Sequence, residues 1–76
     1  MNIKVLGTGC KKCQELEKNT RVAVEELQLD AQVEKVEDIR EIMKYKVMST
    51  PALVIDEKLV STGKLLSVNE VKAMLA

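Results

Sequence analysis

The two cysteines of this 76-residue chain stand two residues apart, as Cys10-Lys11-Lys12-Cys13. They follow Gly7-Thr8-Gly9 and open a stretch of helical periodicity. The spacing therefore places Cys10 at a helix N-terminus and Cys13 one turn inside it. Unpaired backbone N–H groups and the positive end of the helix dipole favour a thiolate there over a thiol. Lys11 and Lys12 add two positive charges beside it, although the plain alternative for both is solubilising surface charge. The Cys10 thiol is thus expected below its ordinary pKa of about 8.5, and the thiolate is the reactive form. Cys13 falls on the inward stripe of the helix, so it is expected to be shielded while Cys10 is exposed. That asymmetry assigns roles: Cys10 attacks a target disulfide, and Cys13 resolves the mixed disulfide that results.

What the chain lacks narrows the chemistry further. It has no His, which removes a Cys-His or Ser-His hydrolase within this chain. One Cys-x-x-Cys offers only two of the four ligands that structural zinc usually takes, so a zinc site would need two chains and no metal is expected. Twelve Lys and Arg balance twelve Asp and Glu, and Tyr45 is the single aromatic residue. Neither a basic stripe nor a stacking platform for nucleic acid is available. No apolar run approaches membrane-spanning length. Met1-Asn2-Ile3-Lys4-Val5-Leu6 enters strand-like alternation without a signal-type apolar block, so the expected compartment is the reducing cytoplasm. A structural disulfide is not expected there, which leaves chemistry as the reason for the pair. The length bounds the chain to one domain, residues 1–76, expected to act as a monomer.

The remaining elements must carry that pair. Residues 2–7 read as a short buried strand. Cys13, Leu16, Thr20, Ala23, Val24 and Leu27 recur at steps of three and four, with Glu17 and Arg21 able to pair along the helix surface. Val22 sits off this stripe without a role. Residues 31–36 alternate imperfectly, which suits an edge strand. Asp38 followed by Glu41 resembles a capping box, opening a short helix with Ile39, Ile42 and Met43 as its apolar face. Lys46, in the turn after it, is expected in a left-handed cap. Ala52-Leu53-Val54-Ile55 is a continuous apolar run, as in a strand covered on both faces. Asp56-Glu57 makes a tight turn into Lys58-Leu59-Val60-Ser61, an outer strand that Gly63 ends. Ser67 with Glu70 is a full capping box for a last helix whose apolar face is Val68, Val71, Met74 and Leu75. The order β-α-β-α-β-β-α implies an α/β fold: a four-stranded mixed sheet with helices on both faces.

Met48-Ser49-Thr50-Pro51-Ala52-Leu53 is the second informative block. A proline fits only at the first residue of an inner strand. Only about 5–6% of X–Pro bonds in folded proteins are cis, so residue types alone favour a trans Thr50–Pro51 bond.

With Lys4-Val5-Leu6-Gly7-Thr8-Gly9-Cys10, Cys13-Gln14-Glu15-Leu16-Glu17 and Val47 to Ile55 in this order, the chain resembles the small prokaryotic thioredoxin-like and glutaredoxin-like redox-active disulfide proteins. The resemblance covers residues 2–75. It implies a thioredoxin-like fold and a protein disulfide oxidoreductase with no cofactor beyond a Cys10–Cys13 disulfide. Its partners would be disulfide-containing proteins and a reductase. Cys10 would be the nucleophile, Cys13 the resolving cysteine, and Pro51 a cis-proline against the pair. Thr50 would offer backbone hydrogen bonds to an extended substrate. Gly63 would let the backbone pass close to the site.

The chain departs from thioredoxins proper and from classical glutaredoxins in three places. Gly9 replaces an aromatic residue before the first cysteine, and Lys11-Lys12 replace Gly-Pro between the pair. Lys4 stands in the region where thioredoxins bury an acid. Ser61-Thr62-Gly63-Lys64-Leu65-Leu66 lacks the acidic part of a glutathione-binding stretch. The resemblance therefore does not extend to efficient reduction by glutathione or by an ordinary thioredoxin reductase. Two other functions compete on the same residues. A soft-metal carrier of the Cu(I) type would also use two thiolates at a first helix, but in the order βαββαβ, ending in a strand. A non-catalytic adaptor would use the Cys10 loop and the Thr50-Pro51 edge only for docking.

Overall fold

Strand and helix follow the alternation of the sequence. The computed structural model describes residues 1–9, 11–47 and 49–75; the first cysteine, Cys10, lies outside them. The elements are β1 (Asn2–Leu6), α1 (Lys11–Glu26), β2 (Gln32–Val36), α2 (Ile39–Lys44), β3 (Ala52–Ile55), β4 (Lys58–Thr62) and α3 (Val68–Leu75). The fourth element is a helix, as in the thioredoxin-like order, where the carrier domains have a strand.

The sheet runs β2-β1-β3-β4, with β1 parallel to β2 and antiparallel to β3. Strand β1 alternates its faces. Ile3 and Val5 join Leu16, Ala23, Leu53, Leu66, Val71 and Leu75 in the larger core beneath α1 and α3. Leu6 points the other way, into a smaller core with Ile42, Ala52 and Val54 beneath α2. Strand β3 is buried along Ala52–Val54, as a strand covered on both faces must be. Residues 32–36 form a largely exposed edge strand. At the other edge, Val60 has no partner where the β3–β4 register shifts, a bulge of the kind that interrupts an open edge.

Local signals explain the boundaries. Ser67 and Glu70 cap α3 reciprocally: Glu70 N–H donates to Ser67 Oγ (3.2 Å), and Ser67 N–H donates to Glu70 Oε1 (3.1 Å). Asp38 caps α2 by accepting from Arg40 N–H at 2.9 Å, but Glu41 does not reciprocate and pairs instead with Lys44. Lys46 adopts φ 58, the left-handed cap expected of it. Asp56 and Glu57 both have positive φ, and the turn is pinned by paired bonds between Asp56 and the Asn2 backbone.

Two apolar faces differ from expectation. Of the three apolar residues of α2, only Ile42 is buried, while Ile39 and Met43 stand 61% and 67% exposed. Six residues give fewer than two turns, so a helix lying on the sheet by one side chain leaves its neighbours in water. On α3, Met74 is 42% exposed and Val71 and Leu75 carry the packing.

Candidate active site

The register of the sheet gathers the candidate residues. Leu6 pairs with both Val36 and Ala52, and Ala52 pairs with Thr62. The segments beyond these residues, Gly7-Thr8-Gly9, Glu37-Asp38, Ser49-Thr50-Pro51 and Gly63, therefore leave the sheet along one edge. Two backbone bonds close it: Gly7 N–H donates to Val36 O (2.9 Å), and Gly63 N–H donates to Pro51 O (2.8 Å).

Helix α1 starts from this edge. Its inward stripe is Cys13, Leu16, Thr20 and Ala23, all buried. Thr20 is the buried polar member, and its hydroxyl donates to Leu16 O at 2.7 Å. Cys13 is 2% exposed, the shielded position expected of it. It lies against Gly7, where a methyl group would overlap its Sγ and stand 2.8 Å from its Cβ. Gln14 reaches back from the helix, its Nε2 donating to Gly9 O at 3.1 Å. Lys11 and Lys12 are exposed, and the first turn of α1 carries no acidic residue. Cys10, the expected nucleophile, lies outside the described residues. Its chain neighbours, Gly9 and Lys11, are placed.

Across the edge, the Thr50–Pro51 peptide bond is cis. Pro51 is buried and Thr50 is exposed. Gly63 holds φ 64, and a Cβ there would approach Ser49 Cβ to 2.8 Å. The glycine after β4 thus lets two loops touch, those of Gly63 and Ser49.

Two features of this molecule had no motif to announce them. Glu37 lies at the rim, its Oε2 3.0 Å from the position a Gly9 Cβ would take. Its other oxygen faces Lys35 at 3.6 Å. An acidic residue following an edge strand gives no signal until the register is known. The second is a closed network at Lys4. Its ammonium donates to Tyr45 Oη (2.9 Å) and Glu57 Oε1 (3.1 Å), and Tyr45 Oη donates to Glu57 Oε2 (2.9 Å). These bonds, Tyr45 first and Glu57 second, hold Lys4 above the ordinary lysine value. Bonds from Lys4 and then Tyr45 hold the Glu57 carboxyl below its own. A lysine in a central strand is tolerated because each of its partners supplies an acceptor.

Among the described residues, no helix is long and apolar enough to cross a membrane. The family model described as "Thioredoxin domain" matches residues 1–76. The chain is 41% identical over 76 residues to a protein named thioredoxin from Methanothermobacter thermautotrophicus, covering 100% of this chain and 99% of that one. It is 44% identical over 73 residues to a thioredoxin from Methanocaldococcus jannaschii, covering 96% and 84% of the two chains. The four-stranded mixed sheet, the helices on both faces and these matches together place the chain in the thioredoxin family.

Proposed function

We propose that this chain is a thiol–disulfide oxidoreductase that reduces disulfides of partner proteins through Cys10 and Cys13. The observation that carries the proposal is the seat of Cys13, buried at the start of α1 against Gly7, on the edge shared with Pro51 and Gly63. In the first step the Cys10 thiolate attacks one sulfur of the target disulfide. A mixed disulfide forms, and the first target sulfur leaves as a thiolate. Cys13, as thiolate, then attacks the Cys10 sulfur, forming the Cys10–Cys13 disulfide and releasing the second target thiolate. Two electrons pass to the target, and its two sulfurs take up protons. An external thiol or dithiol reductant returns the pair to the dithiol, and no cofactor beyond the cysteines takes part.

The surrounding residues fit this sequence. Thr50, exposed beside a buried Pro51, offers backbone groups to an extended substrate segment. Lys11 and Lys12 favour the thiolate at Cys10. The protein is read as a cytoplasmic monomer that uses neither nucleic acid nor membrane. Reduction of a model protein disulfide by the parent, Cys10→Ser and Cys13→Ser proteins tests the assignment. Cys10→Ser should abolish turnover, and Cys13→Ser should accumulate a mixed disulfide on Cys10. Undiminished turnover by Cys10→Ser would sink it.

A further inference from the structure

Two surface grooves of opposite charge each bring one residue to Gly9. The first, about 500 Å³, runs between β2 and α2, and its charged lining is Lys4, Glu34, Lys35, Glu37, Asp38 and Glu41. Four acids face two lysines there, and Lys4 is already matched by Glu57. The second groove, about 460 Å³, lies along the first turns of α1, where Lys11, Lys12 and Lys18 outnumber Glu15. The chain as a whole carries no net charge, so this separation is local and not the reflection of an overall excess.

The boundary between the grooves falls at the reactive turn. Glu37 of the acidic groove places Oε2 against Gly9. Gln14 of the basic groove bonds to the carbonyl of the same glycine. Between Gly9 and Lys11 the sign of the surface therefore reverses. Pairing with Lys35 does not remove Glu37 from this role: that contact is long, uses Oε1, and lies at the surface, where such pairs contribute little.

We infer that this polarity selects substrates by the order of charges around their disulfide, a reading that rests on the proposed oxidoreductase function. A segment that brings its sulfur to Cys10 lies across the boundary. The preferred substrate is a polypeptide with a basic residue on the side that meets Glu37 and an acidic residue on the side that meets Lys11 and Lys12. Glu37 is the specificity-determining residue of the acidic flank.

The test uses four synthetic disulfide-bonded peptides: Lys before and Glu after the cysteine, the reverse order, Lys on both sides, and an uncharged parent. At low salt, kcat/KM for one mixed order should exceed that for the uncharged peptide about tenfold, at roughly threefold per exposed charge pair, and the other mixed order should fall below the uncharged peptide. The difference should shrink toward unity in 0.5 M salt. Glu37→Gln and, separately, Lys11→Gln with Lys12→Gln should each reduce the ratio. Glu37→Lys combined with Lys11→Glu and Lys12→Glu should invert it. Equal rates for the two mixed orders, with the uncharged peptide reduced, would overturn the inference and leave the oxidoreductase reading standing. An unchanged ratio in the Gln variants would also overturn it. A parent that reduces none of the four overturns both.

Discussion

Gly7 and Cys13 divide one volume between them: the side chain that Gly7 lacks is the space that Cys13 fills. Gly7 is itself buried and held to β2 by its bond to Val36 O. The glycine cannot retreat without breaking the β1–β2 pairing, and Cys13 cannot retreat without lifting α1 off Val5 and Leu53. The position of the Cys13 sulfur is set by the end of the first strand.

Gly7→Ala therefore overpacks this contact. A methyl group there overlaps Cys13 Sγ and stands 2.8 Å from its Cβ, closer than carbon atoms pack. Such substitutions cost about 1–3 kcal/mol. Urea unfolding of the reduced protein should show a loss in this range. Resolution of the mixed disulfide should slow as well, because Cys13 is displaced. A variant as stable as the parent would show that α1 shifts freely on the sheet.

Helix α2 gives a contrast within one element. Ile42→Ala removes a side chain from the smaller core and should cost about 2–5 kcal/mol. Ile39→Lys and Met43→Lys change exposed positions and should stay within about 0.5 kcal/mol of the parent. Thermal or urea unfolding of the three variants checks the difference.

The same helix shows where sequence periodicity stops being informative. Over the sixteen residues of α1 the stripe of Cys13, Leu16, Thr20 and Ala23 is long enough to name its buried face, and all four positions are buried. Over the six residues of α2, a step of three or four occurs too few times to separate Ile42 from Ile39 and Met43. Caps were legible for the same reason that α1 was: Ser67 and Glu70 interact at a fixed local spacing. Glu37 beside Gly9, and Lys4 with Tyr45 and Glu57, join residues from different elements. Only the strand register brings them together, and no local pattern encodes it.

The Lys4 network and the α3 cap set how stability depends on pH. Lys4 is held above its ordinary value of 10.5, so the folded state binds that proton more tightly than the unfolded chain. Its contribution is present at neutral pH and is lost only as pH rises through the raised value. Glu57 and Glu70 are held below 4.5, Glu57 chiefly by the Lys4 bond and Glu70 chiefly by the Ser67 backbone N–H. Their contributions are present above 4.5 and are lost as pH falls through the lowered values. The contribution of these three groups should be level from about pH 5 to 9 and decline on both sides. Glu57→Gln should be less stable than the parent at pH 7 and approach it at pH 3. Urea midpoints for both proteins across this range check the sign, and a constant gap would exclude the ion pair as its source.

Gly63 carries two constraints at once, and they can be separated by mutation. Its φ of 64 lies in the left-handed region, where a side chain costs roughly 1 kcal/mol relative to glycine. A Cβ there would also meet Ser49 Cβ at 2.8 Å. Because Gly63 N–H donates to Pro51 O, the residue cannot relieve either conflict by rotating its backbone without releasing the loop that carries Thr50 and Pro51. Gly63→Ala should therefore lose about 2 kcal/mol, part from φ and part from overlap. Removing the Ser49 side chain relieves the overlap and leaves φ untouched. The Ser49→Gly, Gly63→Ala protein should accordingly recover about half of the loss, after correction for Ser49→Gly alone. The urea midpoints of the four proteins in this cycle give the coupling directly. A coupling of zero would mean that Ser49 moves aside at no cost and that backbone conformation alone keeps glycine at this position.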